Sequence, residues 1–220
     1  MKIAAVRSKI PSKLYSVLSK QGFDRLRACQ EKAIKKGLLD GRNLVVCTPT
    51  ASGKTWVALL AAVKNILEGK GKAVYIVPLK ALASEKYKEF KKDFPFLKTA
   101  LSIGDLDASD QYLADYDFII TTSEKLDSLI RHKASWVRQI YTVIIDETHL
   151  INDAERGPTL EIIITMLRQI LAKHQIIALS ATVGNPGTLA DWLGAELVID
   201  SWRPVELKQA TYLNRKLEYW

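Results

Sequence analysis

Cysteine is scarce in this 220-residue chain: there are two, Cys29 and Cys47. Their spacing fits no metal site, and Cys47 falls in a run that reads as a buried strand, so two reduced thiols are expected. Long hydrophobic runs are missing too. No apolar stretch approaches the roughly 20 residues that cross a bilayer. The opening run, Met1–Val6 with Lys9 soon after, is too short for a signal-peptide core. No internal repeat, low-complexity linker or disorder-prone composition stands out. These absences point to a soluble, cytoplasmic protein that needs no membrane.

Acids are the other shortage, and it is local. Residues 1–36 hold ten Lys or Arg against two acids, Asp24 and Glu31, so the whole net charge of +8 resides there. Such a block is either an electrostatic arm for nucleic acid or a pair of helices with solvated Lys faces. A second basic stretch, Lys80–Lys98, has six Lys against three acids. Between it and residue 121 lies an Asp-rich loop, Asp105–Asp117, which would repel phosphate and is expected to face away from it.

What is present is enough for one large α/β domain with its own core. Helices are expected over Pro11–Lys20 and Ala28–Leu39. From Asn43 onward, strands alternate with helices. The strands fall near Leu44–Cys47, Ala73–Val77, Thr99–Ser102, Phe118–Thr121, Thr142–Ile145, Ile176–Ser180 and Glu196–Asp200. The helices fall near Lys54–Leu67, Ala81–Lys91, Glu124–Arg131, Thr159–Leu171 and Gly187–Leu193. That alternation predicts a doubly wound, mostly parallel sheet with helices on both faces. Ligands of such sheets lie beyond the C-terminal strand ends, where Thr48, Pro78, Thr121, Asp146 and Ser180 fall.

The richest signal is Thr48-Pro-Thr-Ala-Ser-Gly-Lys-Thr55, between an apolar strand and an apolar-periodic helix. Strand, loop and helix in that order suit a phosphate-cradling P-loop. Backbone N–H groups over Thr50, Ala51, Ser52 and Gly53 would face polyphosphate at the helix start. Gly53 has no Cβ to obstruct a close approach. Lys54 would meet the β/γ-phosphates of ATP, and the Thr55 hydroxyl would hold Mg²⁺. Thr48 stands where the usual pattern has Gly.

A second motif follows the strand Thr142–Ile145. Asp146-Glu-Thr-His149 puts two acids at a buried strand end, which is costly unless a cation is near. Asp146 is then the Mg²⁺-holding acid and Glu147 the group that orients and deprotonates water.

Asp146-Glu-Thr-His149 resembles the DExH box of superfamily 2 helicases, in which the Gly-less P-loop is also usual. Further segments are similar to that family: Val77–Ala83 to motif Ia, Thr121–Lys125 to motif Ib, Ser180-Ala-Thr182 to motif III. Gln30 stands where the family reads adenine, although Arg27-Ala-Cys-Gln30 lacks the usual Pro. Thr121–Arg131, His149–Leu160, Ser180–Leu193 and Asp200–Val205 resemble the archaeal Holliday-junction-migration repair helicases, which are 3′-to-5′ DNA helicases.

The resemblance implies a RecA-like fold, ATP and Mg²⁺ as cofactors, and a nucleotide sensor at His149. It also implies nucleic-acid contacts at Lys80, Ala81, Thr121, Thr122 and Lys125, and coupling hydroxyls at Ser180 and Thr182. It covers only a first motor domain. The expected layout is N-terminal helices with Gln30 over 1–40, the ATP-binding domain over 41–205, and over 206–220 the start of a linker toward a second RecA-like domain. The expected partner is single-stranded or forked DNA, bound as a monomer. The alternatives are an RNA helicase, or a nucleotide-dependent binding module that does not unwind.

Overall fold

The computed structural model describes residues 1–104, 110–181, 184–203, 210–213 and 216–219. Seven strands form one all-parallel sheet: β1 (Leu44–Cys47), β2 (Lys72–Val77), β3 (Thr99–Ser102), β4 (Phe118–Thr122), β5 (Ile140–Ile145), β6 (Gln175–Ser180) and β7 (Glu196–Ile199). Their order is β3-β4-β2-β5-β6-β1-β7. β1, β2, β4, β5 and β6 are buried along almost their whole length. That is why their sequences are continuous Val/Ile/Leu runs rather than alternating ones.

Helices cover both faces. On one side α1 (Ser12–Lys20), α2 (Ala28–Lys35), α3 (Lys54–Leu67) and α4 (Lys80–Asp93) share a core with Leu44, Tyr75, Phe118 and Ile144. On the other, α5 (Ser123–Arg131), α6 (Gly157–Ile170) and α7 (Pro186–Leu193) pack on Val45, Val74, Val143 and Ala178. Alternate residues of one strand thus serve opposite cores, as the pleat requires. The N-terminal helices belong to the first core and are not a separate body.

Several local expectations need correction. Residues Ile3–Lys9 form a 3₁₀ segment, held because Ile3 and Val6 are buried. The helix from Ala28 ends at Lys35; Gly37 turns left-handed at φ +92°, and a short 3₁₀ turn, Leu38–Asp40, follows. The region 206–220 contains an antiparallel hairpin, β8 (Ala210–Leu213) with β9 (Lys216–Tyr219).

The sheet's N-terminal edge is tied by a buried polar network. Asn65 Nδ2 donates to Thr142 Oγ1 (3.0 Å) and Gln175 Oε1 (2.7 Å). Gln175 Nε2 in turn donates to the carbonyls of Leu38 and Arg42, both at 2.8 Å. Every member is partnered, so the network fixes the α3–sheet register instead of weakening the core.

Candidate nucleotide site

The C-terminal edge gathers the motif residues. β1 runs into Thr48, whose N–H donates to the Ser180 carbonyl (3.2 Å) and whose hydroxyl lies 2.7 Å from Ser52 Oγ. These bonds anchor the base of the loop. Its tip is bent by two left-handed residues, Ala51 (φ +65°) and Gly53 (φ +97°). Gly53 precedes α3, and no side chain caps the helix there. The first N–H groups of α3 are therefore left to a ligand, in the position where anions bind.

Gln30 is buried and turned to this loop. Its Oε1 accepts from the Arg27 backbone (3.0 Å) and its Nε2 donates to the Gly53 carbonyl (3.3 Å). A Cβ on Gly53 would sit 2.9 Å from that amide, so the close fit requires glycine. Three neighbours escaped sequence reasoning. Arg27 Nη1 donates to the Ala51 carbonyl (2.6 Å), Cys29 Sγ donates to the Ser52 carbonyl (3.3 Å), and the Arg27 guanidinium lies 5.8 Å from the Trp202 ring centre. Nothing in residue type or spacing announced these contacts, because they join segments far apart in sequence.

Across the loop stands the DExH segment. Lys54 Nζ is 3.3 Å and 3.4 Å from the two carboxyl oxygens of Glu147. Glu147 adopts φ +50°, a left-handed conformation uncommon for a non-glycine residue and frequent at functional turns. Asp146 Oδ1 accepts from the Glu147 N–H (3.0 Å), and Oδ2 accepts from the Tyr75 hydroxyl (2.7 Å). Burial holds the Asp146 carboxyl above its ordinary range; the Tyr75 bond opposes that, and the Glu147 charge adds to it. His149 Nδ1 lies 3.4 Å from Glu147 Oε2 and has no hydrogen-bond partner among the described residues. Thr148 Oγ1 donates to the Ile145 and Leu179 carbonyls, tying the turn to β5 and β6.

Among the described residues no cluster of three His, Cys, Asp or Glu side chains forms a metal cage. A hard cation here would use the Asp146 carboxylate, the Thr55 hydroxyl and oxygens brought by the ligand, which is how Mg²⁺ is held beside phosphates. The donor set fits that use. The cleft beside Asp146 and Glu147 is small, about 10 Å³. A larger cleft, about 700 Å³, lies elsewhere, between α1 and the end of α4. A phosphate site built on a surface loop is shallow when one wall is open, so cleft size is a poor guide to the chemistry here.

The residues expected to meet nucleic acid divide. Lys80 and Ala81 are exposed at the start of α4. Thr121 and Thr122 are buried. The cap of α5 is Thr122, whose hydroxyl accepts from the Lys125 N–H. Lys125 is buried: its side chain is 2% exposed, with Nζ 3.0 Å from Asp110. Asp110, from the acid-rich loop expected to face away, turns inward to that ammonium instead, since a buried cation needs a partner. Ser180 Oγ is buried without a hydrogen-bond partner among the described residues. Thr182 lies outside the described residues.

A parallel sheet with a P-loop and an acid pair at its C-terminal edge defines a P-loop nucleotide-binding domain of the RecA-like type. The chain belongs to the DEAD/DEAH box helicase family, whose model matches residues 27–189. It is 50% identical over 215 residues to the ATP-dependent DNA helicase Hel308 of Methanocaldococcus jannaschii, covering 94% of this chain and 18% of that protein. It is also 50% identical over 204 residues to Hel308 of Pyrococcus abyssi, covering 92% and 28%. Among solved structures, the DUF1998 helicase MrfA bound to DNA and AMPPNP is similar at 27% identity and a TM-score of 0.74, over 88% of this chain and 29% of that one. The chain thus spans less than a third of these relatives.

Proposed function

We propose that this chain is the first motor domain of an ATP-dependent DNA helicase, coupling Mg·ATP binding and hydrolysis to movement on single-stranded or forked DNA. The observation that carries this reading is the meeting of Lys54, Asp146 and Glu147 at one sheet edge, with Lys54 and Glu147 in contact. In it, Glu147 turns away and Lys54 meets the β/γ-phosphates, while the loop N–H groups from Thr50 to Gly53 and the start of α3 bind the remaining phosphate oxygens. Gln30 reads the base, and Arg27 steadies the loop beneath it.

Mg²⁺, held by Thr55 and Asp146, supplies charge neutralisation across the phosphates. Glu147, released from Lys54, orients the attacking water and takes its proton. His149 senses nucleotide through the second motor domain. Nucleic acid runs along the edge marked by Lys80 and Ala81, with Thr121 and Thr122 shaping it from below; contacts there go to phosphate and sugar. Ser180 and Thr182 link the two sites.

Residues 206–220 lead to a second RecA-like domain. Such a domain supplies an arginine worth on the order of 10³–10⁵ in rate in related phosphoryl transfers. DNA is preferred to RNA because both groups of relatives are described with DNA. The test is the ATPase rate of the chain alone and with single-stranded DNA or RNA, beside fluorescent-ATP binding. Binding with slow turnover, raised more by DNA than RNA, is expected. No nucleotide binding with or without Mg²⁺ would overturn the reading.

A further inference from the structure

Tyr75 lies outside every motif singled out above, yet it is hydrogen-bonded to one of their residues, Asp146. It sits on β2, fully buried, with its ring edge-on to Phe90 (5.1 Å between centres) and Phe118 (6.5 Å). Phe90 and Phe118 stack on each other at 5.5 Å, so the phenol has little room to swing. Its hydroxyl reaches the C-terminal edge and donates to Asp146 Oδ2 at 2.7 Å.

We propose that Tyr75 is a positioning residue for the metal–nucleotide site, its one hydroxyl setting the orientation of Asp146. The inference rests on the proposed function and deepens it. A phenol has one hydrogen to donate, and here it goes to Asp146. On Asp146, Oδ2 is fixed by the phenol and Oδ1 by the Glu147 N–H. The carboxylate plane is therefore set before any cation arrives. Residues behind metal ligands commonly contribute about 10- to 100-fold in metal affinity. A buried tyrosine aimed at a carboxylate has no other evident use, since Phe would fill the same space beside Phe90 and Phe118.

Tyr75→Phe removes only the oxygen and keeps the ring packing. Fluorescent-ATP affinity is measured with excess Mg²⁺ and again in EDTA, and Mn²⁺·ATP binding is followed by electron paramagnetic resonance. The expected result is a loss of about tenfold or more in the metal-dependent gain, with the EDTA affinity unchanged. In an Asp146→Asn background the same change should have no further effect, because Tyr75 acts through Asp146. An equal metal-dependent gain in wild type and Tyr75→Phe overturns the proposal, and so does a loss that adds fully on top of Asp146→Asn.

If Tyr75→Phe does not fold, 3,5-difluorotyrosine at position 75 keeps volume and hydroxyl while altering donor strength. Metal affinity should then shift, and an unshifted value overturns the proposal. Wild-type protein that binds no nucleotide at all would instead mark a failure of the proposed function.

Discussion

Lys54 and Glu147 occupy each other: the ammonium stands 3.3 Å and 3.4 Å from the two carboxyl oxygens, across the gap where phosphate must enter. The Lys54 side chain is only 9% exposed, whereas that of Glu147 is 33% exposed. Lys54 is thus the fixed partner and Glu147 the movable one. An arriving phosphate competes with Glu147 for a cation already in place, so binding and release of the base are one event.

That competition makes Lys54→Ala the first test. Losing a charge-assisted bond to phosphate should weaken ATP binding by about 10- to 150-fold. The thermal midpoint should change little, because Glu147 can turn to water. Calorimetric titration with Mg·ATP decides, and an unchanged affinity removes Lys54 from the site.

Glu147→Gln should act on the other side of the contact. The amide competes poorly for Lys54, so nucleotide affinity should stay level or rise. Turnover, measured in a motor that includes the second domain, should fall by about 10²- to 10⁴-fold, the usual worth of a general base. Normal hydrolysis would exclude Glu147 as the base.

Arg27→Ala tests a contact that no motif announced. The guanidinium holds the Ala51 carbonyl at 2.6 Å, and Ala51 itself is held at φ +65°. Without that hold the loop tip should relax, and ATP affinity should drop several-fold, less than the roughly 1.5–3 kcal/mol of a hydrogen bond to a charged group because the loop is held only indirectly. Trp202 emission should change as well, since Arg27 lies over its ring. Unaltered affinity would reduce Arg27 to a surface strap.

Gly157→Ala tests the frame behind the DExH turn. A Cβ at Gly157 would lie 2.2 Å from the Ile151 carbonyl oxygen and 2.9 Å from its carbon. Both are backbone atoms, so the start of α6 or the Thr148–Asn152 turn must move. Overpacking of this kind costs about 1–3 kcal/mol. For a domain of this size, that lowers the melting midpoint by roughly 2–4 °C per kcal/mol. A melt at the wild-type temperature would show that the turn yields freely.

The strands were legible because buried parallel strands are short β-branched runs bounded by Gly, Pro or polar residues. β1 and β3 fall on the expected residues, and β2, β4, β5, β6 and β7 within two of them. α3 was legible to the residue because the P-loop fixes its start. What was hidden is tertiary. Lys125 reads as one more cation in a basic motif, and only the approach of Asp110 shows it facing inward. Tyr75 reads as one more apolar strand residue, and its hydroxyl gains meaning only where β2 ends beside β5 and α3. The 3₁₀ start of the chain was missed because two buried residues, Ile3 and Val6, are too few for a periodic pattern.

Asp146 carries a cost of its own function. Burial raises its pKa above the ordinary 3.8; Tyr75 and Lys54 offset part of this, and Glu147 adds to it. A carboxyl whose pKa is raised on folding binds more protons folded than unfolded. Stability is therefore lost as pH climbs from 3.8 through the folded value, and at neutral pH the full penalty stands. Asn does not ionise; its Oδ1 can accept from the Glu147 N–H while its Nδ2 donates to the Tyr75 oxygen, the reverse of the bond that Asp146 accepts. Asp146→Asn should therefore melt higher than wild type near pH 7, with the advantage shrinking to nothing as pH falls below 3.8. Mg²⁺-dependent nucleotide binding should be lost in the same variant. Melting curves across that pH range, with and without Mg·ATP, measure both. A variant less stable at neutral pH would mean that the charged carboxylate is favoured in the fold, and the balance of burial against Tyr75 and Lys54 would have to be reversed.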